Sequence, residues 1–140
     1  MIEKTFTFNA GAQFAPAVVA IDSAGNAVYA PSSTYHVTSA ASNNAAVVKA
    51  SAGRVWSITL ANTVASDRWV KLYNKATPPA PGTDVPVRAV KVPASGSVSF
   101  NFAAGSYFSA GIGVAIVAGA ADSDNTAVAA GDVILDIDYA

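Results

Sequence analysis

Residues 47–93 contain three successive runs in which apolar and polar side chains alternate along the chain. The runs cover residues 53–62, 67–75 and 84–92, and residues that favour turns separate them. Such alternation is typical of strands that bury one face, whereas an amphipathic helix repeats its apolar positions every three to four residues. This segment therefore restricts the chain to a β-rich fold.

The rest of the chain repeats the pattern. Residues 4–9, 97–102 and 131–139 alternate, residues 17–21 and 27–30 flank the turn DSAGN, and the apolar run 112–121 predicts a buried strand that ends at Gly119. The alternation places Trp56, Ile58 and Leu60 on the core side of their strand, and residues 39–46 are a candidate short helical turn. About eight to ten short strands predict an all-β fold, a jelly-roll-like antiparallel β-sandwich of two sheets. We expect a single domain over residues 1–140, with residues 1–15 as a candidate N-terminal arm.

Composition narrows the possible functions. The chain has no cysteine and a single histidine, His36, which argues against thiol catalysis, disulfides, cysteine-based zinc sites and a histidine-based triad. A net charge of −1 argues against nucleic acid as the main partner. The run 112–121 is too short to cross a bilayer as a helix. We therefore expect no enzymatic activity, no cofactor, no nucleic acid and no membrane.

Two acidic pairs have alternative interpretations. Asp122 and Asp124 alternate in a polar segment that resembles a calcium loop, although the glycine and closing glutamate of an EF-hand are missing. The simpler interpretation is a polar turn. Asp136 and Asp138 share the outward face of the last strand at a spacing near that of glycosidase carboxylates, but nothing around them indicates a pocket.

Charge is distributed unevenly along the chain. Seven basic residues and two acids lie between residues 49 and 91, whereas residues 92–140 contain five acids and no base. The last strand either lies near a basic strand, which would give ordinary charge complementarity, or forms one of two poles that contact neighbouring subunits.

Aromatic and basic side chains share one face of the run 67–75. Trp69, Lys71 and Tyr73 lie opposite the core-facing Val70 and Leu72. This face either binds a partner or is covered by another part of the same fold. For the first alternative we predict a protein interface at the following residues: Arg68, Trp69, Lys71, Tyr73, Phe6 and Phe8.

Four segments carry a resemblance to a known family: VVKASAGR, RWVKLYNKAT, GTDVPV and ADSD followed by TAVAAGD. They span most of residues 47–139, and the chain resembles the cement, or decoration, proteins of tailed-bacteriophage capsids. The resemblance implies a jelly-roll virion protein that binds the outside of an HK97-type shell and cements neighbouring major capsid subunits, as a homodimer. It implies a location on the capsid exterior after synthesis in the host cytoplasm. The alternative is a carbohydrate- or receptor-binding β-sandwich module of a phage particle.

Overall fold

The structure, a computed structural model, describes Pro31–Ala140. These residues form two four-stranded antiparallel sheets. None of them belongs to a helix long and apolar enough to span a membrane. The strands are β1 (Ser33–Thr38), β2 (Ala46–Lys49), β3 (Gly53–Asn62), β4 (Arg68–Asn74), β5 (Arg88–Val92), β6 (Ser97–Phe108), β7 (Ile112–Val117) and β8 (Val133–Tyr139).

The strand order is that of a jelly roll. One sheet has the order β1-β8-β3-β6, and the other has the order β2-β7-β4-β5. The antiparallel pairs β1-β8, β2-β7, β3-β6 and β4-β5 are nested, as in a long hairpin that has been rolled up. The predicted fold class is confirmed.

The core lies between the two sheets and is built from the inward positions of the alternating strands. Ile58 and Leu60 of β3 and Val70 and Leu72 of β4 are fully buried in it. Alternate residues of β7 and β8 join them: Ile112, Val114, Ile116, Val133, Leu135 and Ile137. β7 is buried at all six positions, which matches its continuous apolar sequence. Strands β3 to β8 fall within the predicted runs, apart from the extension of β6.

The inward position predicted for Trp56 is wrong. A β-bulge between Val55 and Ser57 inserts one residue in the register of β3 against β8, and at the same point β6 carries additional residues against β3. Val55, which pairs with Tyr139, therefore joins Ile58 and Leu60 in the core. Trp56 is half-buried outside the core cluster, because a bulge shifts every preceding side chain by one position.

Three local differences from the sequence prediction have identifiable causes. Residues 39–46 do not form a helical turn, and the side chain of Asn44 bonds the backbone of Ala40 and Ser42 instead. β5 begins at Arg88, because Asp84 accepts a hydrogen bond from the Ala80 N–H at 2.7 Å and holds the preceding loop. β6 continues past the predicted end and reaches Phe108.

Several predictions lie outside the described residues. They are the strand over residues 4–9 with Phe6 and Phe8, the hairpin over residues 17–30, and the arm over residues 1–15. The assignment of residues 1–140 to one domain also remains a prediction, since the sandwich is described for Pro31–Ala140.

Candidate interaction surfaces

Three of the predicted interface residues of β4, Trp69, Lys71 and Tyr73, lie on the outer face of the second sheet, but this face is largely covered. Lys71 is 0% exposed and Tyr73 is 1% exposed. β4 is an inner strand of its sheet, between β7 and β5, and the loop that follows β7 folds over it. An interface at Lys71 and Tyr73 requires both side chains to be exposed, and this expectation is wrong. The alternation does turn them away from the core, but loops from distant parts of the sequence cover that face.

The Lys71 ammonium is held by backbone carbonyls of this covering loop. Its Nζ donates to the carbonyl oxygens of Ala121 at 2.6 Å and Asp124 at 2.9 Å, with a longer contact of 3.4 Å to Asp122. Burial lowers the pKa of Lys71, and the charges of Asp124 and Asp122 oppose that shift. Three oxygen acceptors match the three donors of an ammonium group, so the lysine charge is satisfied without a buried ion pair.

Asp124 fixes the shape of the same loop. Its carboxylate accepts hydrogen bonds from the Gly119 N–H at 2.8 Å and from the Thr126 hydroxyl at 2.8 Å. Burial alone would raise the pKa of Asp124, but these bonds and the charge of Lys71 lower it. The polar-turn interpretation of this segment accounts for these contacts, and no cluster of three or more potential metal ligands occurs among residues 31–140.

Arg68 and Trp69 are half-buried. Nε and Nη2 of Arg68 both lie within bonding distance of the same Asp132 carboxylate oxygen, Oδ2, at 2.8 Å and 2.7 Å, which makes a charge-assisted ion pair. Burial would raise the pKa of Asp132, but the bonds from Arg68 and the Ala129 N–H bring it below its usual range. This ion pair joins the first residue of β4 in one sheet to the residue that directly precedes β8 in the other sheet.

Two aromatic side chains of β6, the half-buried Phe102 and the exposed Tyr107, each lie against an arginine. The Arg88 guanidinium lies 4.7 Å from the Phe102 ring centroid, and that of Arg54 lies 5.2 Å from the Tyr107 ring centroid. Tyr107 is 60% exposed. We call these four residues, together with the exposed Val87 beside Arg88, the arginine–aromatic surface.

An irregular segment of β6 places these side chains. Residues 102–105 of β6 lie opposite the single residue Trp56 of β3, so this part of β6 bulges out of the ladder. Arg54 Nη1 donates to the carbonyl of Ala104 at 3.1 Å. Gly105 adopts a φ of 70°, and an added Cβ there would lie 3.0 Å from the Cβ of Arg54. The glycine therefore allows β6 to lie close to Arg54 while Tyr107 remains at the surface.

The sequence alone did not predict this surface. The chemical signal was present, because Phe102 and Tyr107 lie close together in a segment that contains no charged residue. However, the alternation ends the predicted strand at Phe102, which leaves Tyr107 outside it. The two arginines come from β3 and β5, so the cluster depends on the jelly-roll topology and on the bulge.

The candidate catalytic groups form no acid–base pair beyond local surface bonds. His36 Nδ1 lies 2.6 Å from Asp136 Oδ1, and both side chains are exposed. Asp138 accepts hydrogen bonds from the hydroxyls of Ser57 at 2.5 Å and Thr34 at 2.8 Å, and these bonds lower its pKa. A carboxyl group with a lowered pKa is unsuited to the general-acid role that one member of a glycosidase pair must take.

No protein-family model matches the chain, and no curated protein matches it. Among solved structures, the chain is similar to the coat protein of Tobacco streak virus, with 12% sequence identity over 80% of this chain and 89% of that chain. The TM-score of this match is 0.28. At that level the match carries no argument about function, and the fold assignment rests on the strand order itself.

Proposed function

We propose that this chain is a structural protein of a phage particle that binds the outside of an HK97-type capsid and cements neighbouring major capsid subunits. The observation that carries the proposal is the arginine–aromatic surface, where Arg54 stacks on the exposed Tyr107 ring and Arg88 on the half-buried Phe102 ring. Tyrosine, tryptophan and arginine dominate the binding energy of protein interfaces. The sequence resemblance over residues 47–139 supports the capsid as the partner.

The chemistry of the surface favours an acidic patch on the partner. Arg88 has no carboxylate within ion-pair distance among residues 31–140, and its guanidinium donates only a long 3.4 Å bond to the Ser106 hydroxyl. An arginine stacked on a ring is held in place while its remaining N–H donors stay available to a carboxylate. Val87 would supply apolar area next to this contact.

The chain would stabilise the capsid through thermodynamic linkage between its own binding and shell assembly. A protein that binds the assembled shell, and not its separated subunits, stabilises the shell by mass action. Arg54, Arg88 and Tyr107 of the arginine–aromatic surface lie on strands that the sandwich already holds in place, so little ordering is required when the surface binds. Many equivalent copies across the shell would multiply a modest contact.

The test is a titration of purified capsids that lack this protein. We expect the wild-type chain to saturate them and to raise the denaturant concentration at which the shell breaks. Tyr107→Ala and Arg88→Ala should each weaken binding by about tenfold, which corresponds to about 1.4 kcal/mol at an interface anchor.

Lys91→Ala is the matched control, because it removes a basic side chain that is ion-paired with Asp67 and lies outside the arginine–aromatic surface. Capsid binding that all three variants leave unchanged would refute the assignment of this surface. No binding by the wild-type chain, together with Tyr107-dependent binding to a host polysaccharide, would favour the carbohydrate-binding alternative.

A further inference from the structure

The outer edge of β6 is an open strand edge among residues 31–140. β6 is the last strand of the sheet β1-β8-β3-β6, and its neighbour in that sheet is β3. Edge strands of soluble proteins usually carry lysine, proline or another charge that prevents pairing with a second chain. β6 has none of these over twelve residues, whereas the edge strands β1, β2 and β5 contain His36, Lys49 and Lys91 respectively.

The first half of β6 presents its unpaired backbone groups to this edge in a regular array. The Asn62 N–H donates to the Gly96 carbonyl at 2.8 Å, which fixes the alternation of hydrogen bonds along the β3-β6 ladder. Val98 and Phe100 then bond β3, as Leu60 and Ile58 pair with them. The N–H and C=O groups of Ser97, Ser99 and Asn101 consequently point toward the open edge.

We propose that β6 pairs antiparallel with β6 of a second copy across a two-fold axis at Ser99, which joins the two sheets into one of eight strands. In this register Ser99 lies opposite Ser99 of the other copy, and Ser97 lies opposite Asn101. Two-fold pairing gives a closed dimer with the same surface on both copies. The proposal does not depend on the proposed function, and its test needs no capsid.

The side chains favour a second copy over a charged partner. Self-pairing places every residue of the segment against an uncharged residue, so no like charges meet across the axis. Val98 would lie opposite Phe100 of the second copy on the inner face, where Phe100 is 40% exposed in the single chain. The outer face would carry only serine and asparagine, and the Ser99 hydroxyl already bonds Thr59 at 3.3 Å.

Cysteine cross-linking tests the register directly, since the chain has no cysteine of its own. Residues in a hydrogen-bonded antiparallel pair have Cα atoms about 5.5 Å apart, within the range that a disulfide spans. Ser99→Cys should therefore form a covalent dimer on mild oxidation. Ser97→Cys, equally exposed on the same face, is the matched control, because two copies of residue 97 would lie roughly 14 Å apart.

Charge substitution tests the same pairing without a covalent bond. By sedimentation of the full chain, the wild type and Ser99→Thr should be dimers, whereas Ser99→Lys and Ser99→Asp should each raise the dimer dissociation constant at least tenfold. An equimolar mixture of the two charged variants should restore dimers, because opposite charges then meet at the axis.

Three outcomes would overturn the proposal. A monomeric wild-type chain at high micromolar concentration would show that the edge does not self-associate. Dimers that persist in both charged variants would place the contact elsewhere. Equal cross-linking at residues 97 and 99, or none at residue 99, would show a different register or a different occupant, such as residues 1–30 of the same chain.

Discussion

Replacing Lys71 with methionine should destabilise the sandwich without changing its fold. The substitution keeps an unbranched stem in a fully buried position and removes the ammonium group. Two short hydrogen bonds are lost, to the carbonyls of Ala121 and Asp124, together with the longer contact to Asp122. The loop over residues 119–126 then loses its main attachment to β4.

The magnitude follows from these bonds and from the surroundings of the loop. A hydrogen bond to a charged group contributes about 1.5–3 kcal/mol, so the two short bonds give roughly 3–6 kcal/mol in gross terms. Removing the ammonium also removes the cost of burying it, and water can reach the carbonyls because residues 121–123 are exposed. We expect a net loss of about 2–3 kcal/mol.

Urea denaturation of the full chain at pH 7, monitored by tryptophan fluorescence, measures this loss. We expect a lower midpoint urea concentration and an unchanged dependence of the unfolding free energy on urea concentration. Lys91→Met is the matched control. It removes a lysine that is 2.7 Å from a carboxylate, but both partners are about half exposed and the pair is screened by water. A shift for Lys71→Met no larger than that of the control would refute the argument that carbonyl contacts hold the loop.

Three further outcomes follow from individual contacts. The pKa of Asp132 is lowered in the folded state, so its contribution to stability is complete above the unfolded value of about 3.9 and is lost as the pH falls below it. The midpoint urea concentration of Asp132→Asn should therefore fall less than that of the wild type between about pH 5 and pH 2. An equal fall in both proteins would contradict this. Gly111→Ala should lower stability by about 1–3 kcal/mol or more, because its Cβ would lie 2.8 Å from three neighbouring backbone atoms, whereas Gly96→Ala, whose nearest neighbour is 3.4 Å away, should be tolerated. Tyr73→Phe should leave the thermal midpoint unchanged or higher, because the buried Tyr73 hydroxyl has no hydrogen-bond partner among residues 31–140, and a clear loss would indicate a partner outside them.

The strands of this fold could be predicted because most of them obey the simple alternation of a half-buried sheet. β3 matches its predicted run at both ends, and β4 differs by one residue at each end. Val70 and Leu72 are in the core as their pattern predicts. These assignments depend on local sequence, which is the level at which periodicity carries information.

The candidate site could not be predicted, because it depends on contacts between distant segments. Alternation shows that Lys71 and Tyr73 point away from the core, but it cannot show that a loop fifty residues later covers Lys71. Irregular strand registers also limit prediction from local sequence. The bulges at Val55–Ser57 in β3 and at residues 102–105 in β6 decide where Trp56 and Phe102 lie. A bulge adds residues without breaking the apolar–polar pattern strongly enough to be recognised.

The two proposed surfaces use different halves of β6, and this separation has a consequence. Residues 97–101 would pair with a second copy, while Phe102 and Tyr107 would contact the capsid, so one dimer would present two arginine–aromatic surfaces. Two linked sites bind more tightly than one when both can be occupied together, because the second contact forms at a high effective concentration. Ser99→Lys should therefore weaken capsid occupancy through loss of the dimer, whereas Arg88→Ala should weaken it and leave the dimer intact. Mixing Ser99→Lys with Ser99→Asp should restore occupancy. A mixture that restores the dimer but not the occupancy would refute this coupling, because the substitutions would then act on the capsid contact itself and not through the dimer.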